Sequence, residues 1–290
     1  MKKLSIIILT YNSEKDIYAC IESIYIHNDI DDYLEIIIVD NNSMHFREMQ
    51  RQIEQLYPDV KIIANNKNGG YGQGNNIGIK AATAPIVAIM NPDVRLVMPI
   101  FQTFLTEFAN EQVIMCGGKQ YATPTHANAS FYYDFTECGF LQSIGRIICH
   151  KFDIYNQKRM WLQGAFFFIK KHEFEQIGLF DEHIFMYSEE FDIHTRIKKY
   201  YPNKKIKYLK NAKYLHLTAD RILTADTLKK QYEANVYVCI KNQLSLQKMI
   251  KQTTIALFFN RIVSILMGCK KSSCKIQYDI ITSIKKQYKL

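Results

Sequence analysis

No apolar run in this 290-residue chain approaches the roughly 18 or more residues that a membrane span needs. The first one, Leu4–Leu9 after Met1-Lys2-Lys3, is too short for a secretory leader. It turns polar at Thr10-Tyr11-Asn12-Ser13-Glu14 with no small-residue cleavage site, so it is expected to be a buried first strand. The seven cysteines include no C-x-x-C pair, and an odd, scattered set of thiols argues against a disulfide framework and against a zinc site. No G-x-x-x-x-G-K-[ST] appears, which excludes a P-loop ATPase. The glycine-rich string Gly70-Tyr71-Gly72-Gln73-Gly74 is not G-x-G-x-x-G, and it follows the third apolar run, not the first. A dinucleotide-dependent dehydrogenase is disfavoured on both counts. Internal repeats and low-complexity tracts are also missing.

Hydrophobic residues make up 48% of the chain and charged residues 22%, enough for a sizeable core and too apolar for disorder. The formal charge of +9 is uneven. Residues 217–290 hold 13 Lys and Arg against 4 Asp and Glu, while the preceding residues balance. A neutral body with a basic tail points to an anionic surface as partner.

The first 117 residues alternate β-branched apolar runs with helical stretches. Leu4–Leu9, Glu35–Val39, Val60–Ala64 and Pro85–Met90 read as strands buried on both faces. Glu14–His27, Phe46–Leu56 and Asn75–Ala82 suit crossover helices, with Ser13 as N-cap of the first. This is the β-α-β rhythm of an α/β doubly wound sheet. Residues 118–160 lose the rhythm and are expected to be loops and short pieces. A strand over Trp161–Lys170, a helix over Ser188–Tyr200 and a short strand over Lys213–Leu217 follow. From about Thr224 the tail reads as helical. Within Ile250–Met267, Thr253, Thr254, Asn260, Arg261 and Ser264 fall on one stripe beside a wide apolar face, with Lys270, Lys271 and Lys275 behind it. That pattern describes a helix lying in a membrane interface, or one docked on the protein body or on a second subunit.

Ligands of open α/β sheets sit beyond the carboxyl ends of the strands. Four polar clusters fall there: Thr10-Tyr11-Asn12, Asp40-Asn41-Asn42-Ser43, Asn68–Asn76 and Asn91-Pro92-Asp93. Any one of them is an ordinary turn composition. Four at one edge suggest a nucleotide cleft, with Asp40 toward a base or ribose hydroxyl and glycines admitting close backbone approach.

These motifs, in unbroken order from about Leu4 to His216, resemble family 2 glycosyltransferases, most closely the bacterial rhamnosyltransferase-like branch. The matching segments are Leu9-Thr10-Tyr11-Asn12, Val39-Asp40-Asn41-Asn42-Ser43, Asn68–Gly78, Asn91-Pro92-Asp93, Gly164-Ala165, Gly178–Asp192 and His216. The resemblance implies the GT-A fold, a Rossmann-like, mostly parallel central sheet flanked by helices, with a C-terminal helical extension. It implies a glycosyltransferase domain over 1–220, its nucleotide-sugar half about 1–117 and its acceptor half about 118–220. A basic helical extension over 221–290 follows.

By the same resemblance, Thr10, Tyr11, Asn12, Asp40, Asn42, Gly70, Asn75, Asn91 and Asp93 bind the nucleotide sugar. Asp93 and His216 hold a divalent cation, Mn²⁺ or Mg²⁺, with an imidazole ligand favouring Mn²⁺. Glu190 aligns with the family's general base, although it is Glu where Asp is commoner, and Glu189 beside it is the second candidate. Both carboxylates also suit the positive end of a helix dipole. Asp181, Trp161 and Gly164 are candidate acceptor-binding residues. His216-Leu217-Thr218-Ala219 lacks the glycine that the family carries three residues after its His.

The implied activity is inverting transfer of a sugar from a dTDP- or UDP-linked donor to a glycan or lipid-linked saccharide in surface polysaccharide or lipopolysaccharide synthesis. The implied location is cytoplasmic, peripheral at the inner face of the plasma membrane, with the basic tail on anionic lipid and no nucleic acid as partner. A homodimer through the tail is the alternative. A non-catalytic nucleotide- or glycan-binding protein that keeps the fold is the rival class. A sugar-phosphate nucleotidyltransferase is weaker, because Thr10-Tyr11-Asn12-Ser13-Glu14 lacks the Gly- and basic-rich loop those enzymes place after the first strand.

Overall fold

The computed structural model describes residues 1–217, 224–266 and 274–289. Thr218, Ala219, Met267, Lys270, Lys271 and the expected boundary at 220/221 lie outside the described residues. In chain order the elements are β1 (Leu4–Thr10), α1 (Ile17–Ile26), β2 (Leu34–Asp40), α2 (Phe46–Leu56), β3 (Lys61–Ala64), α3 (Gly70–Ala81), β4 (Ile86–Met90), β5 (Val94–Leu96), α4 (Phe101–Phe108) and β6 (Val113–Thr123). After β7 (His126–Ala127) and β8 (Phe131–Tyr133), a π-helical stretch (Leu141–Gly145) runs into α5 (Arg146–Lys151). Then come β9 (Met160–Leu162), β10 (Phe166–Lys170), α6 (Lys171–Gln176), α7 (Glu189–Tyr200) and β11 (Lys205–His216). Three helices close the chain: α8 (Ala225–Lys241), α9 (Leu246–Leu266) and α10 (Cys274–Tyr288).

The described residues form two compact units. The first takes 1–130, 162–185 and 196–217, and the second 131–161, 186–195 and the residues from 224 on. The first unit holds a nine-stranded sheet in the order β3-β2-β1-β4-β10-β6-β11-β5, with β7 added on β6. β3, β2, β1 and β4 run parallel, with Leu4 opposite Leu34 and Ile86. β10 then enters antiparallel to both β4 and β6, and β11 runs parallel to β6.

The parallel block exists because its strands are apolar on both faces, as a sheet covered by helices on each side requires. Ile6, Ile8, Ile36, Ile38, Ala88 and Phe168 pack toward Ile17, Ile21 and Ile24 of α1, Met49 and Ile53 of α2, and Phe104 of α4. Phe104 stacks on Phe168 with ring centroids 3.9 Å apart. Each such fully buried side chain contributes roughly 1.5–3 kcal/mol.

α3 covers the other face and begins earlier than the expected Asn75. The glycines that read as a loop form its first turns. A Cβ on Gly74 would lie 2.3 Å from Leu9 Cδ1, and one on Gly78 2.4 Å from Ile7 Cγ2. The glycines thus serve close helix-to-sheet packing. Among the glycines of α3 only Gly70, at φ +89°, needs the left-handed backbone that glycine permits.

Three further expectations are corrected. Ser13 does not cap α1 with its side chain. Its carbonyl accepts from the N–H groups of Asp16 and Ile17, while its hydroxyl lies against Tyr11. The strand expected over Trp161–Lys170 is two strands in different sheets, broken where Gln163 N donates to Ser130 O and Gln163 Oε1 accepts from Ala165 N. The expected short strand over Lys213–Leu217 is the end of the much longer β11.

In the second unit α8, α9 and α10 share a small core containing Tyr232, Val236, Cys239, Met249, Ile250, Leu257, Ile281 and Ile284. Thr224 caps α8, its hydroxyl accepting from Thr227 N at 3.1 Å. The polar stripe of α9 is partly turned inward. Asn260 Oδ1 accepts from Ser143 Oγ at 2.6 Å, and Thr254 O accepts from Tyr278 Oη at 3.3 Å. Phe258, Ile262, Ile265 and Leu266 are its exposed large apolar residues, and Arg261 of the stripe is exposed too. The six cysteines among the described residues are free thiols. Among the described residues no helix is long and apolar enough to cross a membrane.

Candidate functional site

The polar loops expected to converge at the carboxyl edge of the parallel strands do so in the first unit. Asp40 ends β2 and is buried. Its carboxylate accepts from Thr10 Oγ1 (2.9 Å), Ser43 Oγ (2.5 Å) and Ser43 N (2.8 Å). Asn12 closes the same knot, donating its N–H to Ser43 Oγ and accepting from Met44 N. Asn12 and Asn42 both sit at positive φ, where Asn is among the least strained non-glycine residues. Tyr11 and Asn42 are exposed at this rim.

The next knot is centred on Asn41, which was not singled out as a ligand residue. Its amide donates to Gly70 O (3.0 Å) and accepts from Asn65 Nδ2 (2.9 Å), joining the loops after β2 and β3 to the start of α3. Its only sequence signal was its place between Asp40 and Asn42. Asn75 is fully buried on α3; its Nδ2 donates to Tyr71 O, and no hydrogen bond reaches its Oδ1. Asn76 instead braces the 178–185 segment through Phe180 and Glu182.

Asn91 leads from β4 into the turn that carries Asp93, its N–H bonded to Ala165 O. Arg95 holds that turn, donating to Pro92 O and Val94 O at 2.8 Å and pairing with Asp16 at 3.2 Å. β5 then pairs antiparallel with the end of β11, His216 opposite Val94. That register sets His216 against Asp93, although they are far apart in sequence. His216 Nε2 lies 3.3 Å from Asp93 Oδ1, and both residues are buried. No hydrogen bond reaches either ring nitrogen of His216.

A buried imidazole with unused lone-pair capacity, touching a buried carboxylate, fits one imidazole and one carboxylate ligand of a divalent cation. Among the described residues no group of three or more His, Cys, Asp or Glu converges on one point. Such a pair would supply two ligands, and phosphate oxygens are the usual others for a hard cation at a nucleotide.

The expected acceptor residues of this unit have partners. Asp181 Oδ1 takes the N–H of His183 (3.0 Å) and faces its Nδ1 (2.9 Å), and Gly164 O accepts from Tyr71 Oη at 2.9 Å.

The second unit holds the carboxylates at the start of α7. Tyr187 and Ser188 immediately before it both have positive φ, a strained pair held by the bond from the Ser188 hydroxyl to Asn235 Oδ1. Glu189 is buried and Glu190 half-buried. Asp192, fully buried, accepts from Lys241 Nζ (2.9 and 3.0 Å) and from Asn242 Nδ2 (2.9 Å). Nothing in the tail's sequence signalled that Lys241 reaches this helix. Trp161 is buried in an aromatic cluster with Tyr132, Phe135 and Phe191, and its Nε1 has no hydrogen-bond partner.

Burial, reinforced by the neighbouring Glu190 charge, raises the Glu189 carboxyl well above its ordinary range. The folded chain therefore binds this proton more tightly than the unfolded chain. That contribution is complete below the ordinary carboxylate pKa and is lost as pH climbs through the raised one. Glu189→Gln is expected to flatten this decline, whose slope is at most about 1.4 kcal/mol per pH unit. Urea unfolding midpoints across a pH series measure it. Parallel profiles for wild type and variant would refute the assignment.

The sheet and its flanking helices make up the GT-A fold. The chain belongs to glycosyl transferase family 2, whose model matches residues 5–194. It is 28% identical over 208 residues to the low-salt glycan biosynthesis hexosyltransferase Agl10 of Haloferax volcanii, covering 68% of this chain and 62% of that one. It is 24% identical over 207 residues to the rhamnosyltransferase WbbL of Escherichia coli, covering 66% of this chain and 75% of that one. Among solved structures, the mannosyltransferase PcManGT of Pyrobaculum calidifontis, in complex with GDP-Man and Mn²⁺, superposes with a TM-score of 0.62 at 13% identity. That match covers 98% of this chain and 80% of the other. The chain thus spans less than two thirds of the length of the archaeal hexosyltransferase.

Proposed function

We propose that this chain is an inverting, divalent-metal-dependent glycosyltransferase. It moves a hexose from a nucleoside-diphosphate donor to a hydroxyl of a growing surface glycan or lipid-linked saccharide. The observation that carries the reading is the buried His216–Asp93 pair at the carboxyl edge of the parallel strands, in a member of family 2. Asp93 and His216 would hold Mn²⁺ or Mg²⁺, which when bound neutralises charge on the leaving diphosphate. The loops carrying Thr10, Tyr11, Asn12, Asp40, Asn42, Gly70, Asn75 and Asn91 receive the nucleotide sugar. Glu190 takes the proton of the acceptor hydroxyl as its oxygen bonds to the anomeric carbon and the bond to the diphosphate breaks. One displacement inverts that centre.

The half-buried Glu190 suits the base better than Glu189, whose burial disfavours the charged form that a base must take. Trp161, Gly164 and Asp181 are assigned to the acceptor. The resemblance to the rhamnosyltransferase branch, and to WbbL, favours dTDP-rhamnose as donor, with UDP-sugars next. The basic tail from residue 221 holds the enzyme on the anionic inner face of the plasma membrane.

The test is a panel of dTDP-, UDP- and GDP-sugars incubated with the protein and no acceptor. Mn²⁺-dependent release of a nucleoside diphosphate from one of them is the expected result. Nucleotide binding without turnover of any sugar, with or without acceptor glycans, would mark a non-catalytic binding protein instead.

A further inference from the structure

The second unit exposes apolar side chains where a water-facing surface has no use for them. In the segment through α5, Ile147, Ile148, Phe152 and Ile154 are each about half exposed or more, Phe152 reaching 63%. On α9, Ile262, Ile265 and Leu266 are exposed, Leu266 at 81%. The two stretches adjoin. Phe140 packs edge-on against Phe259 with centroids 5.3 Å apart, Ser143 bonds Asn260, and Gly139 N donates to Gln252 Oε1 at 2.9 Å. Ile262 and Leu266 lie one and two turns beyond Phe259 on the same side of α9. Single exposed apolar residues need no explanation, but a contiguous group does.

Charge selects the occupant. Residues 138–154 contain one acid, Asp153, against Arg146 and Lys151, and α9 contains none. The cations on these segments are Arg146, Lys151, Lys248, Lys251 and Arg261. A second copy seated symmetrically here would set cations against cations. An anionic bilayer accepts both features, apolar side chains in the acyl boundary and Lys or Arg at the headgroups.

We propose that the α5 segment and the C-terminal half of α9 form one membrane-docking face, with an anionic phospholipid surface as its partner. The inference rests on the membrane reading above and relocates its apolar contact to a face that includes residues 138–154, outside the tail. The face inserts shallowly and does not span.

Flotation with neutral phosphatidylcholine vesicles, and with vesicles containing about 30% phosphatidylglycerol, tests it on the full chain. Ile147→Ser/Phe152→Ser alters only exposed side chains, and Lys248→Glu/Lys251→Glu alters only tail charge. Unchanged thermal unfolding certifies both folds. A third variant, Ile265→Ser/Leu266→Ser, replaces the first if that one unfolds. The expected result is salt-sensitive binding to the anionic vesicles only, reduced at least tenfold in the Ile147/Phe152 variant. Anionic-vesicle binding that this variant keeps while the Lys248/Lys251 variant loses it would overturn the face and leave the tail reading standing. Binding to neither vesicle, or equally to both, would overturn the two together. A dimer in light scattering that the Ile147/Phe152 variant dissociates would assign the face to a second copy instead.

Discussion

Glu190→Gln is expected to keep donor affinity and to lose transfer by roughly a hundredfold or more, the scale of a missing general base. The amide matches the carboxylate in shape, so packing at the start of α7 is preserved and only proton acceptance is removed. Glu189→Gln should cost much less, because burial raises that carboxyl well above its ordinary range and disfavours the charged form a base requires. Single-turnover transfer, with donor affinity measured separately by titration calorimetry, distinguishes the two. The reverse ranking would move the base to Glu189. It would mean that exposure at the first turn of α7 is a poor guide to which carboxylate meets the acceptor.

Asp93→Ala is expected to abolish the Mn²⁺-dependent part of nucleotide binding, weakening it by about a hundredfold. Disturbing even the groups that support a metal ligand costs about 10–100-fold. The metal-independent part, held by the loops after β1, β2 and β3, should persist. Calorimetry with a nucleoside diphosphate, with and without Mn²⁺, separates these contributions. The same titration on His216→Ala tests whether the imidazole shares the site. If Asp93→Ala binds nucleotide plus Mn²⁺ as tightly as wild type, the pair is only a strand-end contact between β5 and β11.

The parallel half of the sheet was legible because its strands are short, β-branched and buried on both faces, a pattern that little else produces. β6 and β11 were harder to read. β6 carries Gly117-Gly118 at its middle, which as sequence looks like a break. In space a Cβ on Gly118 would lie 2.5 Å from Ala212 O, so the glycine marks where β11 crosses closely. β11 itself carries lysines along its length, and only alternate pieces of it are buried. α4 was missed because its apolar face, Phe101, Phe104 and Phe108, spans barely two turns. Asp93 could be suspected from its place after an apolar strand. His216 could not, because only the antiparallel pairing of β5 with β11 brings it there, and strand pairing is not written in local spacing. The resemblance to family 2 supplied what local chemistry could not.

Asp192 draws Lys241 and Asn242 from a helix some fifty residues further along the chain. The tail is therefore no detachable appendage to the carboxylates of α7. A proteolytic nick that frees α8 would strand a buried anion, and losing one partner of such a pair costs roughly 3–5 kcal/mol. The first turn of α7 would unravel before the sheet noticed. Integrity of the C-terminus is thus reported at Glu190, and a shortened chain could stay folded around β1–β4 and still fall silent.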